Sequence, residues 1–165
     1  MTAPVDQMGD YAGSMSDERE ILDDLRRRVA ASPFHHGFGL QVVGASRGEV
    51  RLRWETREEH LNLQGLIHGG VLATLADTAM GLAVRSAMQP GRRHVTIELG
   101  VHYLRPARPG ALEAVGRAVR VGTQVAYAEA DVHDAEGRLL ARANGTYSVG
   151  ALKEQKDPQE PAADQ

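Results

Sequence analysis

One carboxylate stands alone in the longest apolar stretch of the chain. Asp77 is the only ionisable residue between His68 and Arg85, in a segment that is apolar on nearly all sides. A buried carboxylate must be hydrogen-bonded, protonated or open to a cavity, because its desolvation is costly. Two interpretations stay open from spacing alone. Asp77 is either a structural aspartate that caps a turn or bonds Thr74 or Thr78, or a catalytic carboxylate in a cleft.

Two glycines, Gly69 and Gly70, begin the same segment, eight residues before that carboxylate. At the start of a helix the backbone N–H groups point outward with the positive end of the helix dipole behind them, and glycine lets a ligand approach closely. Such N–H groups can bind the oxyanion that develops on an acyl carbonyl. The alternative is that the glycines only permit a tight turn or close helix packing. Together with Asp77, they favour chemistry on an acyl group.

Two polar residues precede the glycines. His68 stands just before the predicted helix, a place that suits a hydrogen bond bracing the loop, although a catalytic histidine also fits there. Asn62 carries an amide that can hold a water molecule or a carbonyl group, and it is equally typical of a simple turn.

Composition and motifs argue against several other classes of site. The chain has no cysteine, which excludes disulfides, thiolate-bound metals and a cysteine nucleophile. The histidines lack metal-ligand spacing, so we expect no metal. No phosphate-binding loop, dinucleotide fingerprint or Gly-x-Ser-x-Gly motif is present. The net charge is −3, of which the two ends of the chain carry −5, and a body at +2 gives no case for nucleic acid.

The pattern of apolar residues predicts the elements that must position these groups. Period-3.6 spacing predicts a helix over residues 16–31 and a long buried helix from Gly69 to about Met88. Period-two alternation predicts six strands, beginning near 38–42 and continuing at 50–54, 95–103, 112–121, 124–133 and 139–149. Strands in runs, without alternating helices, favour an α+β fold with an antiparallel sheet. The most economical packing curls that sheet around the one long central helix.

The length of 165 residues predicts one domain, over residues 18–150. Residues 1–17 and 151–165 are polar and aperiodic, which predicts two disordered tails. The chain shows neither a signal peptide nor an apolar run of about 18 residues, so we expect a cytoplasmic protein that does not enter a membrane.

The segment from Asn62 to Gly81 resembles the hotdog-fold acyl-CoA thioesterases, and it is closest to their phenylacetate-pathway (PaaI-type) branch. It contains Asn-x-x-Gly-x-x-His-Gly-Gly followed by Leu-Ala-Asp-Thr-Ala, and Tyr103-Leu104-Arg105-Pro106-Ala107 matches a strand-end pattern of the same family. The resemblance extends over residues 34–149. It implies a hotdog fold and hydrolysis of an acyl-CoA thioester.

The resemblance also implies roles for single residues. Asp77 would act as the nucleophile or as the base for water, and the Gly69 N–H would donate to the thioester oxygen. His68 would position that loop, Asn62 would orient the water or the carbonyl, and the Thr96 hydroxyl would help to order the water. In this family the active site lies at a dimer interface, so that Asp77 would face Asn62 and Gly69 of a second copy, and dimers assemble into tetramers.

Coenzyme A enters as part of the substrate, and no other cofactor is implied. Its phosphates call for arginine, and the substrate-binding candidates are Gly70, Arg105, Arg120, Gly122 and Thr123, with Arg92 and Arg93 as further possibilities. The turn at Gly122 and Thr123 departs from many relatives, which carry a basic residue there.

Three functions are compatible with these residues. The first is an acyl-CoA thioesterase for aromatic or medium-chain acyl groups. The second is a non-catalytic hotdog protein that binds acyl-CoA, although relatives of that kind lack the carboxylate. The third is a hotdog hydratase or dehydratase, whose signature is absent.

Overall fold

The computed structural model describes residues 15–151 and places one long helix against a six-stranded sheet. Two helices precede the sheet, α1 (Met15–Ala31) and α2 (Pro33–Phe38), and the long helix α3 (Gly69–Ala87) follows the second strand. The strands are β1 (Gln41–Ser46), β2 (Glu49–Glu55), β3 (Arg92–Tyr103), β4 (Ala111–Val121), β5 (Val125–Asp134) and β6 (Leu139–Ala151).

All neighbouring strands are antiparallel, in the order β1-β2-β4-β5-β6-β3. The predicted α+β hotdog architecture is therefore confirmed. Strand β3 follows α3 in the chain but pairs with β6, the last strand, and so lies at one edge of the sheet. Because of this crossover, residues of β3 and β6 lie side by side next to the long helix.

Helix α3 packs against strands β2 to β6, and its apolar side chains fill the core between them. The closest approach is at Gly116 on β4, where a Cβ atom would lie 2.3 Å from the carbonyl carbon and oxygen of Ala79. Only glycine fits such a contact between backbones. The contact fixes the depth of the helix at a point two residues after Asp77.

The prediction that a strand begins at Phe38 is wrong, because residues 33–38 form helix α2. Ser32 caps this helix, Pro33 stands in its first turn, and Gly39 ends it with a left-handed φ of 66°. Proline at the first position and glycine after the last are the usual signals of a helix. Phe38, at the end of the helix, is 38% exposed, and its ring meets the buried Trp54 ring edge-on with centroids 5.1 Å apart.

Helix α1 begins at Met15, so the last three residues of the predicted N-terminal tail belong to the helix. The rest of the two predicted tails, residues 1–14 and 152–165, lies outside the described residues. Among the described helices none is long and apolar enough to cross a membrane.

Candidate active site

Asp77 is half-buried on α3 and is held by hydrogen bonds to only one of its carboxylate oxygens. The Thr96 hydroxyl donates to Oδ1 at 3.0 Å, and the Tyr147 hydroxyl donates to the same oxygen at 3.0 Å. Thr96 on β3 and Tyr147 on β6 are cross-strand partners, which is why both reach one atom. Within residues 15–151, Oδ2 receives no hydrogen bond. The carboxylate therefore has one anchored oxygen and one open oxygen.

Tyr147 is the member of this group that the sequence reasoning missed. It is 1% exposed, and its hydroxyl also approaches the backbone carbonyl oxygen of Asp77 at 3.3 Å. Burial raises the pKa of this hydroxyl well above its usual range, and the charge of Asp77 raises the pKa further. The hydroxyl is thus a permanent donor. The available signal was the alternation along β6, which places Tyr147 on the inner face among small residues such as Ala143 and Gly145.

Within residues 15–151, one N–H donor at the start of α3 has no partner. His68 is the N-cap, and its Nδ1 accepts a hydrogen bond from the Gly70 N–H at 2.9 Å. The Gly70 donor, predicted to bind substrate, is therefore occupied by His68. Gly69 is the first residue of the helix, and its N–H has no hydrogen-bond partner within the described part of the chain. A donor at this place, on the positive end of the helix dipole, can bind an oxyanion.

Asn62 shapes the loop that leads to this helix. Its Oδ1 accepts hydrogen bonds from the backbone N–H groups of Gln64 at 2.9 Å and Leu66 at 3.2 Å. Gly65, with a φ of 72°, completes the turn. The side-chain oxygen is thus used in building the loop. The amide NH₂ has no partner in residues 15–151 and is available to donate.

A cavity of about 300 Å³ adjoins Gly69. Tyr103 forms one wall, and its hydroxyl donates to the Gly69 carbonyl oxygen at 3.0 Å. The remaining walls come from the loop before α3, from α3 itself and from the end of β3: Asn62, Leu66, Ile67, Leu72, Leu104, Arg105, Pro106 and Ala107. Such a mainly apolar lining, with one open N–H at its edge, suits an acyl group.

The open carboxylate oxygen and the open N–H do not meet within one chain. Asp77 follows Gly69 by eight residues on the same helix, which places them about 12 Å apart along its axis at a rise of about 1.5 Å per residue. An oxyanion donor and an attacking group must both lie within about 3 Å of the same reacting carbonyl group. The two groups therefore cannot act on one carbonyl group within a single chain.

The predicted substrate-binding residues lie in separate places. Arg105 lines the cavity and donates to the carbonyl oxygen of Leu139 at 2.7 Å. Gly122 and Thr123 form the turn between β4 and β5, next to a second cavity of about 270 Å³, where Arg92 donates to the carbonyl oxygen of Thr123. Arg120 is exposed on β4, where its side chain makes no ion pair or hydrogen bond with residues 15–151.

We find no metal-binding cluster in residues 15–151, where no three side chains of the ligand types converge.

Comparison with known proteins gives concordant matches. The sequence profile of the thioesterase superfamily matches residues 64–141. A protein of Halobacterium salinarum provisionally named as an esterase is 44% identical, over 77% of this chain and 93% of its own. The medium/long-chain acyl-CoA thioesterase YigI of Escherichia coli is 31% identical, over 72% of this chain and 86% of its own.

The solved structure of the PaaI protein from the phenylacetic acid degradation operon of Escherichia coli has a similar fold. It superposes with a TM-score of 0.74 over 82% of this chain and 96% of its own, at 20% identity.

Proposed function

The chain belongs to the thioesterase superfamily and is a thioester hydrolase of the hotdog fold. We propose that it hydrolyses acyl-CoA thioesters with aromatic or medium-chain acyl groups. The observation that carries the proposal is the asymmetry of Asp77, with Oδ1 anchored by two hydroxyls and Oδ2 open. With Oδ1 anchored, the open Oδ2 can attack a carbonyl carbon or remove a proton from water.

The proposed reaction needs only groups of this chain, water and the substrate. Asp77 attacks the thioester carbonyl carbon and forms an anhydride that water then hydrolyses, or it takes a proton from a water molecule that attacks instead. In either case the Gly69 N–H donates to the carbonyl oxygen as negative charge develops on it. The carbon–sulfur bond breaks, the leaving thiolate takes up the proton that the water has lost, and the products are the free acid and coenzyme A.

We place the complete site between two copies of the chain. Helix α3 separates the carboxylate from the oxyanion donor, and edge strand β3, which carries Thr96, exposes Val95 and Ile97 by 68% and 61%. An exposed apolar edge strand is a surface that pairs readily with another strand. Pairing of two β3 strands would bring Asp77 of one copy towards Asn62 and Gly69 of the other. A homotetramer of such dimers and a cytoplasmic location stay predictions from the sequence.

The shared site predicts complementation between two inactive variants. Asp77→Asn removes the reacting carboxylate and Gly69→Pro removes the oxyanion donor. A dimer of one chain of each kind, purified through two different tags, holds one intact site and one doubly altered site. We expect about half of the wild-type thiol-release rate from it, because one of two symmetric sites survives. A mixed dimer as inactive as its two parents, or a wild type that is an active monomer, contradicts the shared site.

The substrate class is tested by thiol release from a panel of acetyl-, hexanoyl-, octanoyl-, lauroyl-, benzoyl- and phenylacetyl-CoA. Each added methylene that the apolar cavity beside Gly69 buries should stabilise the transition state by about 0.8 kcal/mol, which raises kcat/KM about fourfold. We therefore expect octanoyl-CoA and an aryl-CoA to exceed acetyl-CoA by far more than tenfold. An equal rate across the panel contradicts the proposed acyl class, and binding without any release contradicts acyl-CoA hydrolysis.

A further inference from the structure

Tyr147 lies in a slot that the fold keeps free for it. A Cβ atom on Gly145, two residues earlier on β6, would lie 3.1 Å from the Tyr147 ring and 3.2 Å from its hydroxyl oxygen. On the other side, a Cβ atom on Gly81 of α3 would lie 3.8 Å from the ring and 3.1 Å from His94 Nε2. The His94 ring meets the Tyr147 ring edge-on, with centroids 5.7 Å apart. These neighbours fix where the hydroxyl group points.

The slot directs the Tyr147 hydroxyl to the Asp77 carboxylate. It donates to Asp77 Oδ1 at 3.0 Å, the oxygen that also accepts from Thr96. The Tyr147 hydroxyl also has a backbone acceptor within reach, the carbonyl oxygen of Asp77 at 3.3 Å. The carboxylate oxygen of Asp77 lies at the shorter distance. Two donors on one oxygen set the plane of the carboxylate and leave Oδ2 as the oxygen that is free to react.

We propose that Tyr147 is a positioning residue of the hydrolytic reaction, whose hydroxyl holds the Asp77 carboxylate so that Oδ2 faces the substrate. The inference rests on the proposed function, in which Asp77 reacts with the thioester or with water. Tyr147 thus keeps the Asp77 carboxylate oriented.

The test replaces Tyr147 by Phe, which keeps the ring in its slot and removes only the hydroxyl. A hydrogen bond to a charged group is typically strong enough that its loss should lower kcat by about 10- to 100-fold. KM should stay within about twofold, because Tyr147 does not touch the substrate. The matched control is Tyr127→Phe. This tyrosine lies on the neighbouring strand β5, is 37% exposed and contacts Glu129 rather than Asp77. We expect wild-type kinetics from it.

Gly145→Ala provides a second variant with every polar group retained. Its methyl group should push the Tyr147 ring by a few tenths of an ångström, since the contact would be only 3.1 Å. We expect a loss in kcat at constant KM here too, smaller than that of Tyr147→Phe. Thermal unfolding of each variant shows whether the fold is kept.

Two results would overturn the inference: wild-type kcat in Tyr147→Phe, or a loss that appears as KM alone. If Tyr147→Phe fails to fold, Gly145→Ala decides by the same measurements. Failure of the proposed function is distinguishable, because wild type would then release no thiol from any acyl-CoA. An active wild type that loses activity in Asp77→Asn but not in Tyr147→Phe rejects only the role of Tyr147.

Discussion

Replacing Asp77 by Asn is expected to lower kcat for thioester hydrolysis by about 10³-fold, within the range known for loss of a catalytic base. An amide can neither attack the thioester carbonyl nor accept a proton from water at neutral pH. The Thr96 and Tyr147 hydroxyls, which now donate to Oδ1 of Asp77, can donate to the amide oxygen instead. Fold and substrate affinity should therefore be kept, and thiol release with a saturating acyl-CoA measures the loss.

The matched control for this variant is Asp23→Asn. It makes the same chemical change at an exposed position of α1, far along the chain from α3. We expect wild-type kinetics and an unchanged unfolding temperature from it. An Asp77→Asn protein within about tenfold of wild type would show that this carboxylate is structural, because a reacting base contributes at least about 10².

Replacing Gly69 by Pro is expected to lower kcat by about 10²- to 10³-fold, the effect of removing one oxyanion donor. Proline has no N–H, and at the first position of a helix it removes no intrahelical hydrogen bond. The preceding residue must then adopt an extended conformation, and His68 already has φ −60° and ψ 136°. The backbone before Gly69 thus already has the conformation that proline requires, and besides losing the N–H the variant crowds the Tyr103 ring, 3.2 Å from a Cβ atom at this position.

Gly69→Ala is the control that isolates the donor. A Cβ atom at this position would lie 3.2 Å from the Tyr103 ring, so alanine and proline share the same crowding. Only proline lacks the N–H. We expect Gly69→Ala to keep most of the wild-type kcat, and any small loss in it measures the cost of moving Tyr103. Equal kcat values for Gly69→Pro and Gly69→Ala would rule out the Gly69 N–H as the oxyanion donor.

The periodic elements were predictable because their signals are local. Helix α3 was predicted to run from Gly69 to about Met88 and runs from Gly69 to Ala87, since an apolar pattern of that length has only one period that fits. The last four strands likewise agree within a few residues, because turn residues separate alternating apolar runs. Asp77 stood out for the same reason, as a single charge in an apolar helix.

The region around Phe38 shows where local patterns fail. Phe38, Leu40 and Val42 alternate as in a strand, but the first of them ends a six-residue helix. Short helices carry too few residues for a period to be recognised, and the cap signals at Ser32, Pro33 and Gly39 decide instead. These cap residues predict helix α2 when they are given more weight than the apolar alternation.

By itself, the sequence determined the central helix, the antiparallel strands, the lone carboxylate and the glycines at the helix start. Only the tertiary structure decided that Tyr147, seventy residues after Asp77, donates to it, because the packing of α3 against β6 sets that contact. The structure also decided that the Gly70 N–H donates to His68 Nδ1, whereas the Gly69 N–H has no partner in residues 15–151. Hydrogen bonds between distant side chains depend on how whole elements pack, and no period or spacing along the chain carries that information.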